Sequence, residues 1–297
     1  MGNVSLDDLE LQRKKIKKSN LIRTLIGVPI LLISIVLGLY TDQLFIVFIG
    51  IIVFVILIVI NELKKSEFTK HFKENIVKRL IQEELGADAI YEQKGGIDLL
   101  EISLLRCAQS PDRYDLSDHI ISNYNGIPYE VCDAHFEERK VYYDLKGNRQ
   151  VRYDTYFKGR IIKIDFKRDL NIIMKIVNQG PLGFSSEGLN KFETEVIDFN
   201  KKFKCYVDNT ENGFYILTPI FIQKLMELEK MFRGGLVLAF KNNNLYVLIN
   251  DSGDSLEVSF SKPLNGEQIE RIRGEIILPA TIINEFRIDD DKFNINR

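Results

Sequence analysis

Hydrophobic residues are distributed very unevenly along the chain. Residues 21–40 are apolar apart from Arg23 and a few small polar residues, and residues 44–60 carry no charge at all. A helix over the first stretch would be about 30 Å long, which matches the hydrocarbon core of a bilayer. Only residues 41–43 separate the two stretches, so the helices would be antiparallel neighbours. The pattern predicts a two-helix transmembrane hairpin over residues 21–60.

Basic residues flank this hairpin and are absent from its tip. Six precede or enter the first helix and three follow the second: Arg13, Lys14, Lys15, Lys17, Lys18, Arg23, Lys64, Lys65 and Lys70. The tip carries Asp42 instead. The positive-inside rule therefore predicts a multi-pass protein of the cell membrane with both termini cytoplasmic and Asp42 outside. The lipid bilayer is the predicted partner, and the basic flank would lie against anionic lipid headgroups.

The apolar segment is also open to interpretation as a signal peptide or as a re-entrant hairpin. A cleaved signal peptide is disfavoured, because the apolar core exceeds the usual length of about 7–15 residues and no small-residue cleavage site follows. A re-entrant hairpin that dips into one leaflet stays open, because the second apolar stretch is the shorter one.

The remaining pattern divides the chain into four parts. These are a basic N-terminal segment (1–20), the hairpin (21–60), a helical connector (61–115) and a soluble domain (116–297). Residues 5–18 are predicted to form a short amphipathic helix that begins at Ser5. In the connector, residues 67–85 have helical periodicity up to Gly86, and a short helix is expected over residues 97–107.

Strand patterns dominate the start of the soluble domain. We predict one β-hairpin around Asn125-Gly126, a second across residues 141–157, and separate strands at 160–166 and 172–177. Further expected elements are a helix at 189–203, a helix from Thr218-Pro219 to residue 232, a strand meander at 236–240, 245–250 and 256–260, and a last helix at 266–286 kinked at Pro279. This order predicts a membrane-anchored α+β protein with an antiparallel sheet and packed helices.

Composition narrows the class of protein. The formal net charge is -2, which argues against nucleic acid as a partner because a basic excess would be needed. The three cysteines, Cys107, Cys132 and Cys205, are widely spaced, which is typical of a reducing compartment rather than a disulfide framework.

Several residues invite a chemical role, and each has a simpler explanation. Cys132 and His135 form half of a metal site, but two further ligands with suitable spacing are not evident. Residues 208–213 resemble the start of an EF-hand loop without its closing glutamate, and a turn explains them better. Three aspartates at 289–291 are interpreted as a solvated charge run, and His71 as a surface or interfacial residue.

Aromatic residues form one more candidate. Tyr142, Tyr143, Tyr153 and Tyr156 could stack on a ligand, but half-buried strand positions explain them equally well. The sequence lacks G-x-S-x-G, H-E-x-x-H and P-loop patterns. No catalytic, cofactor-binding or metal-binding residue is therefore predicted, and no cofactor is expected.

The assembled segments resemble a bacterial family of membrane proteins known as domain of unknown function 3137. The matching pieces are Ile127-Pro128-Tyr129-Glu130, Asp133-Ala134-His135, Phe157-Lys158-Gly159, Asp165-Phe166, residues 203–208, Tyr215-Ile216-Leu217-Thr218-Pro219, the strands of 236–260 and the closing helix. The resemblance extends over roughly residues 20–295 and implies two apolar helices followed by an α+β domain. It implies no activity and no site residues.

We therefore expect a membrane-tethered, cytosolic-facing binding or scaffold module, with membrane-proximal proteins or anionic lipids as partners. Tethering would itself raise the effective concentration of such partners. The alternative is a membrane-associated enzyme of unknown reaction type. A polar cluster in a deep pocket would favour the enzyme, and an exposed sheet surface or apolar groove would favour the binding module.

Overall fold

The computed structural model describes residues 5–144, 146–168, 170–178, 184–186, 188–288 and Phe293. They form two compact units that are not continuous in sequence. The hairpin unit comprises Met1–Leu80 and Leu256–Arg273, and the sheet unit comprises Ile81–Ser255 and Gly274–Arg297.

Two long helices make up most of the hairpin unit. Helix α1 spans Leu6–Tyr40 and helix α2 spans Leu44–Phe72. The side chain of Ser5 caps α1 by accepting the backbone N–H of Asp8, as the sequence predicted. The separate short helix expected at residues 5–18 is wrong, because no breaker follows it and α1 is continuous.

The chain continues from α2 without a break in helical conformation. A π-helical turn occupies Lys73–Val77 and leads into helix α3, Lys78–Leu85. Gly86 ends α3 with a φ of 94°, and its N–H donates to the carbonyl of Gln82. The left-handed conformation suits glycine, so the predicted end of this helix is confirmed.

Among the described residues, a single antiparallel sheet of nine strands organises the sheet unit. The strands are β1 Ile90–Lys94, β2 Arg113–Tyr124, β3 Ile127–Tyr143, β4 Arg149–Asp165, β5 Ile172–Val177, β6 Asn190–Phe192, β7 Lys204–Val207, β8 Gly235–Asn242 and β9 Asn244–Asn250. Their spatial order is β1-β2-β3-β4-β9-β8-β5-β7-β6. The antiparallel α+β architecture predicted from the sequence is confirmed.

Helices pack with this sheet. They are α4 Leu99–Leu104, α5 Ile197–Lys202, α6 Thr210–Ile216, α7 Pro219–Glu229 and α8 Gly266–Glu285, the last being shared between the two units. Thr218 caps α7 and proline occupies its first turn, as predicted. One core cluster joins strand residues such as Phe136, Phe157 and Ile161 to Ile102 of α4.

The predicted hairpins around β3 are confirmed, but the strands are longer than expected. Asn125 and Gly126 both have positive φ angles, 51° and 76°, in the turn between β2 and β3. The two predicted hairpins share β3. The predicted strands at 151–157 and 160–166 are one strand, β4, which passes through Gly159 without interruption.

Two predicted elements are wrong. Residues 189–203 contain β6 and the short helix α5 rather than one helix, because the Asn200 side chain bonds three groups of Thr194 and closes a local turn. Residues 256–260 are not a third strand of the meander. Their backbone is bonded by side chains instead: Ser259 N–H donates to Gln268, and the Phe260 carbonyl accepts from Arg13.

Candidate functional site

The apolar stretches of α1 and α2 present their large side chains outward. Leu39, for example, is 72% exposed. Within residues 21–60 the buried residues are Gly27, Ser34, Gly38 and Gly50. A core helix of a soluble protein would bury its large apolar residues instead. Both helices are long and apolar enough to cross a membrane, by length and composition.

Small residues let α1 and α2 approach each other closely. A Cβ atom at Gly50 would lie 1.8 Å from the Ser34 Oγ, and one at Gly38 would lie 2.4 Å from a methyl carbon of Val47. Small residues at helix contacts are typical of helix pairs in lipid, where close backbone packing replaces the hydrophobic effect. The contact between these two helices therefore depends on glycine and serine.

A polar contact joins the two helices at the end of the apolar stretches. The Arg23 guanidinium donates a 2.7 Å hydrogen bond to the side-chain oxygen of Asn61, which is buried. Arg23 and Asn61 each stand at one boundary of the hairpin predicted from the sequence. The bond holds the two helices in register at the basic end.

A groove with a volume of about 430 Å³ lies between the basic ends of α1 and α2. We call it the basic groove, and its lining residues are Gln12, Lys15, Ile16, Lys64, Glu67, Phe68 and His71. Four of its polar residues are donors or cations, and one is an acid. The Nδ1 atom of His71 is buried and has no hydrogen-bond partner among the described residues.

Residues 256–264 return from the sheet unit and pack on the two helices. Arg13, which is 3% exposed, donates to the Phe260 carbonyl at 2.7 Å and pairs with Glu10 at 2.7 Å. The Phe260 ring meets Phe68 edge-on at 5.3 Å. The bond from Arg13, with help from the Leu264 N–H, lowers the pKa of Glu10 to about 2. This ionic contact anchors the segment.

The sheet unit contains a buried polar network on β3 and β4. Asp133 and Arg160 are 4% and 5% exposed and are paired across the strands, with 3.8 Å between their charged groups. Ser255 donates to Asp133 from its hydroxyl and its N–H at 2.9 Å, and Arg160 reaches Glu275 at 2.8 Å. Burial raises the pKa of Asp133 to about 6, although Arg160 opposes this shift.

A bulge in β2 adds a second buried acid near this network. The register with β3 shifts between Ser117 and Ile120, and Asp118 has a φ of 54°. Asp118 is 2% exposed and accepts a 2.6 Å hydrogen bond from the Tyr91 hydroxyl. Burial and the Asp118 charge raise the pKa of Tyr91 far above its usual value, so the hydroxyl stays a donor.

Glu130 and Lys163 form another network on the opposite surface of the same strands, because side chains alternate along a strand. Lys163 lies 3.0 Å from Glu101 and 3.5 Å from Glu130, and His119 lies 3.1 Å from Glu130. The Tyr246 hydroxyl also donates to Glu101. In both networks each named acid meets a cation or hydroxyl of its own unit, an arrangement suited to a structural role.

The ends of β3 and β4 extend beyond the rest of the sheet. Residues 138–143 and 149–154 pair with each other and have no other strand neighbour among the described residues. We call this two-stranded extension the arm. It exposes Tyr142 and Tyr143 by 51% and 69%. Exposed aromatic residues of this kind are typical of interaction surfaces.

The other two tyrosines of the predicted aromatic set lie nearer the base of the arm. Tyr153 is 40% exposed, and the Arg113 guanidinium lies 4.6 Å from its ring centroid. Arg113 also pairs with Glu137. Tyr156 is half-buried and donates to the Gln109 carbonyl at 2.6 Å. The aromatic set is therefore divided between an exposed part and a packed part.

The structure separates Cys132 from His135. Cys132 lies in the core cluster, and burial raises the pKa of its thiol to about 12. The His135 Nε2 atom bonds the Thr155 hydroxyl at 2.8 Å. Within the described parts of the chain, no group of three His, Cys, Asp or Glu side chains is placed to hold a metal ion.

The remaining candidates have ordinary positions. The Asp208 carboxylate accepts the N–H groups of Ile173 and Asn209, and Asn209 caps α6, so the EF-hand-like stretch is a helix start. His71 lines the basic groove. The aspartates at 289–291 lie outside the described residues.

Sequence reasoning missed the buried networks and the contact of Arg13 with Phe260. A signal for the networks was present: Asp133 interrupts an apolar run within a strand pattern, and Arg160 directly precedes another. A charge at such a position needs a partner, and the partner is another charge in the adjacent strand. No comparable signal marked the contact between Arg13 and a backbone carbonyl.

Comparisons with known proteins add little beyond the fold. No curated protein matches the chain significantly in sequence. Among solved structures, the crystal structure of the mycobacterial trehalose monomycolate transport factor A, TtfA, is similar with 9% sequence identity and a TM-score of 0.36. The alignment covers 67% of this chain and 93% of that chain. Similarity at this level does not define a shared function.

A family model described as "Protein of unknown function (DUF3137)" matches residues 155–288. The match begins within β4 and ends after α8, so it includes β5 to β9 and the segment that packs on the hairpin. Residues 155–288 are thus similar to this family of unknown function, and the resemblance predicted from the sequence is confirmed over that range.

Proposed function

We propose that this protein is a membrane-anchored binding module. In this proposal the hairpin of α1 and α2 spans the bilayer as a multi-pass anchor, and the sheet unit binds membrane-proximal partners on the cytoplasmic side. The observation that carries the proposal is the outward exposure of large apolar residues along two helices that bury only glycine and serine between residues 21 and 60.

Exposure of these two helices to water would be unfavourable, and this supports the membrane anchor. Exposed apolar residues recur along the length of both helices, including Leu25, Leu32, Phe48 and Ile56 at 64%, 57%, 64% and 51% exposure. In water, a continuous apolar surface of this length would promote aggregation. In lipid the same surface is solvated and the helices satisfy their own backbone hydrogen bonds.

The distribution of charge supports the orientation. The basic residues that flank the hairpin lie at its open end, whereas the turn between the helices carries Asp42 with a φ of 54°. Basic residues are retained on the cytoplasmic side during membrane insertion. Asp42 would then lie outside the cell membrane.

Cysteine labelling tests both the anchor and the orientation. Asp42→Cys should react with a membrane-impermeant maleimide added to intact cells, whereas Ser66→Cys, which is exposed at the opposite end, should react only after permeabilisation. The reverse pattern would overturn the orientation. Release of the full chain from membranes by alkaline carbonate would overturn the anchor, and so would equal labelling at both positions.

The arm is the surface that we propose for partner binding. It projects exposed aromatic side chains from an otherwise paired sheet, and its base is held by Arg113 through Glu137 and Tyr153. A ribbon of two strands is only marginally stable in water by itself, so an exposed ribbon is best explained by a contact that covers it.

Photo-crosslinking tests this surface. A photoreactive phenylalanine analogue at Tyr143 should capture a distinct protein in native membranes, identified by mass spectrometry. The matched control is the same analogue at Phe214, which is 61% exposed in α6 and lies outside the arm. If Tyr143 captures nothing beyond the Phe214 control, the proposed binding surface is wrong.

An enzymatic function is not favoured by the buried networks. Asp118 and Asp133 are almost fully enclosed, and the oxygens that would react are bonded to Tyr91 and Ser255. A catalytic acid needs access to a substrate, which these positions do not offer.

A further inference from the structure

The basic groove between α1 and α2 has the composition of an anion site. Lys15 and Lys64 line it, and neither forms a hydrogen bond or ion pair within the described residues. Neighbouring lysines behave differently: Lys14 pairs with Glu10 and Lys65 pairs with Glu62. The two groove lysines are thus the cations left free to bind a ligand.

Two further groups add donors to the groove. His71 contributes its imidazole side chain to the lining. Gln12 supplies an amide. Glu67 is the single acid in the lining, so the balance of charge in the groove is positive.

The apolar part of the groove is held in place. Phe68 is 3% exposed and packs edge-on against Phe260 at 5.3 Å, while Ile16 is half-buried. A ligand that fits this groove therefore combines an anionic group with an apolar portion. The volume of about 430 Å³ exceeds what a bare inorganic anion requires.

The position of the groove along the helix axes, relative to the bilayer, favours the same ligand. This argument depends on the proposed membrane anchor. Lys15 lies six residues before Leu21, and Lys64 lies four residues after Ile60. These separations correspond to about 9 and 6 Å of helix rise. The headgroup layer extends about 5–8 Å beyond the hydrocarbon core on each side.

We propose that the basic groove binds the phosphate of an anionic phospholipid headgroup. Lys15 and Lys64 contact the phosphate oxygens, and the glycerol portion lies on Ile16 and Phe68. The lipid then holds the basic ends of α1 and α2 together from the bilayer side.

Native mass spectrometry of the full chain released from nanodiscs tests the site. With nanodiscs of phosphatidylcholine and phosphatidylglycerol, the wild type should retain one phosphatidylglycerol molecule in preference to phosphatidylcholine. The double variant Lys15→Gln/Lys64→Gln should retain about tenfold less. The matched control, Lys14→Gln/Lys65→Gln, removes the same charge from the same two helices outside the groove and should retain the wild-type amount.

Each other outcome overturns the inference. Equal losses in the two double variants would mean only general attraction to an anionic surface. Equal retention of phosphatidylcholine would remove the need for an anionic headgroup. Displacement of the lipid by millimolar inorganic phosphate would make free phosphate the ligand. Failure of the chain to remain in nanodiscs would instead contradict the proposed anchor, so the two failures are distinguishable.

Discussion

The guanidinium of Arg13 donates a 2.7 Å hydrogen bond to the backbone carbonyl of Phe260, 247 residues further along the chain. The same side chain pairs with Glu10, which in turn accepts the Leu264 N–H at 2.8 Å. The Arg13 residue that makes both contacts is only 3% exposed. The two residues connect the first helix of the chain to a segment near its end.

Replacing Arg13 should release this segment. In Arg13→Met the Glu10 carboxylate loses its buried partner, and breaking a buried ion pair costs about 3–5 kcal/mol. We expect amide hydrogen exchange of residues 256–264 to accelerate strongly in detergent-solubilised protein. The control is Lys14→Met, since Lys14 pairs with the same acid at 3.6 Å but is 65% exposed. Similar exchange in the two variants would show that the segment is held by packing alone.

Gly50 should be essential for the contact between α1 and α2. A Cβ atom there would lie 2.5 Å from the Cβ of Ser34, so Gly50→Val should force the helices apart by at least one side-chain layer. The separation can be measured between spin labels at Leu25 and Ile58 in a background without the native cysteines. The neighbouring change Ile49→Val, at a position 55% exposed, should leave the distance unchanged. An unchanged distance in Gly50→Val would contradict the close packing.

Asp133 should make the stability of the sheet unit depend on pH. Its pKa in the folded state is raised from 3.8 to about 6 by burial, so the folded chain holds the proton more tightly than the unfolded chain. The contribution of this group to the free energy of unfolding is therefore greatest below about pH 4 and decreases as pH rises through about 6. A shift of this size corresponds to a change on the order of 3 kcal/mol.

The variant Asp133→Asn should remove that dependence. Relative to wild type, its free energy of unfolding should rise between about pH 4 and about pH 8, measured by urea denaturation with tyrosine fluorescence. Asp254→Asn serves as the control, because Asp254 is a half-buried carboxylate paired with Lys158 at 3.0 Å. A constant difference between Asp133→Asn and wild type across this range would mean that Asp133 stays ionised throughout.

Two glycine-to-alanine changes should have opposite effects. A Cβ atom at Gly159 in β4 would lie 2.0 Å from the carbonyl oxygen of Ile249 in β9, so Gly159→Ala should destabilise the sheet by on the order of 3 kcal/mol. Nothing lies within 4 Å of a Cβ atom at Gly274 in α8, so Gly274→Ala should stabilise the helix by about 1 kcal/mol. Thermal unfolding of both variants checks the pair. If the two changes shift the unfolding temperature equally, the close approach at Gly159 is excluded.

Local patterns predicted most of the elements correctly. The Asn125-Gly126 turn, the Thr218-Pro219 helix start and the end of α3 at Gly86 are all confirmed, because each depends on the conformational preference of one or two residues. The lengths of the strands were harder to predict from the sequence. Gly159 marked a break in the sequence pattern, yet in the structure it permits close contact with Ile249 inside a continuous strand.

Long-range contacts explain what the pattern did not predict. Residues 256–260 have the alternation of a strand, but their backbone groups bond to Arg13 and Gln268. The basic groove is likewise assembled from two stretches more than forty positions apart, and the sequence marked Lys15, Lys64 and His71 without indicating that they line one groove. Neither feature has a local signature, because both depend on how two helices pack.

The hairpin unit is built from two parts that are far apart in sequence, Met1–Leu80 and Leu256–Arg273, so these parts are synthesised at different times. The ribosome produces α1 and α2 before any strand of the sheet. Residues 256–264, the partners of Arg13 and Glu10, emerge only after all nine strands, at about 5–20 residues per second. Until then the buried cation at Arg13 lacks its carbonyl acceptor. The hairpin unit therefore begins with two helices that are made early, and it reaches its final packing only after the strands of the sheet unit have been synthesised.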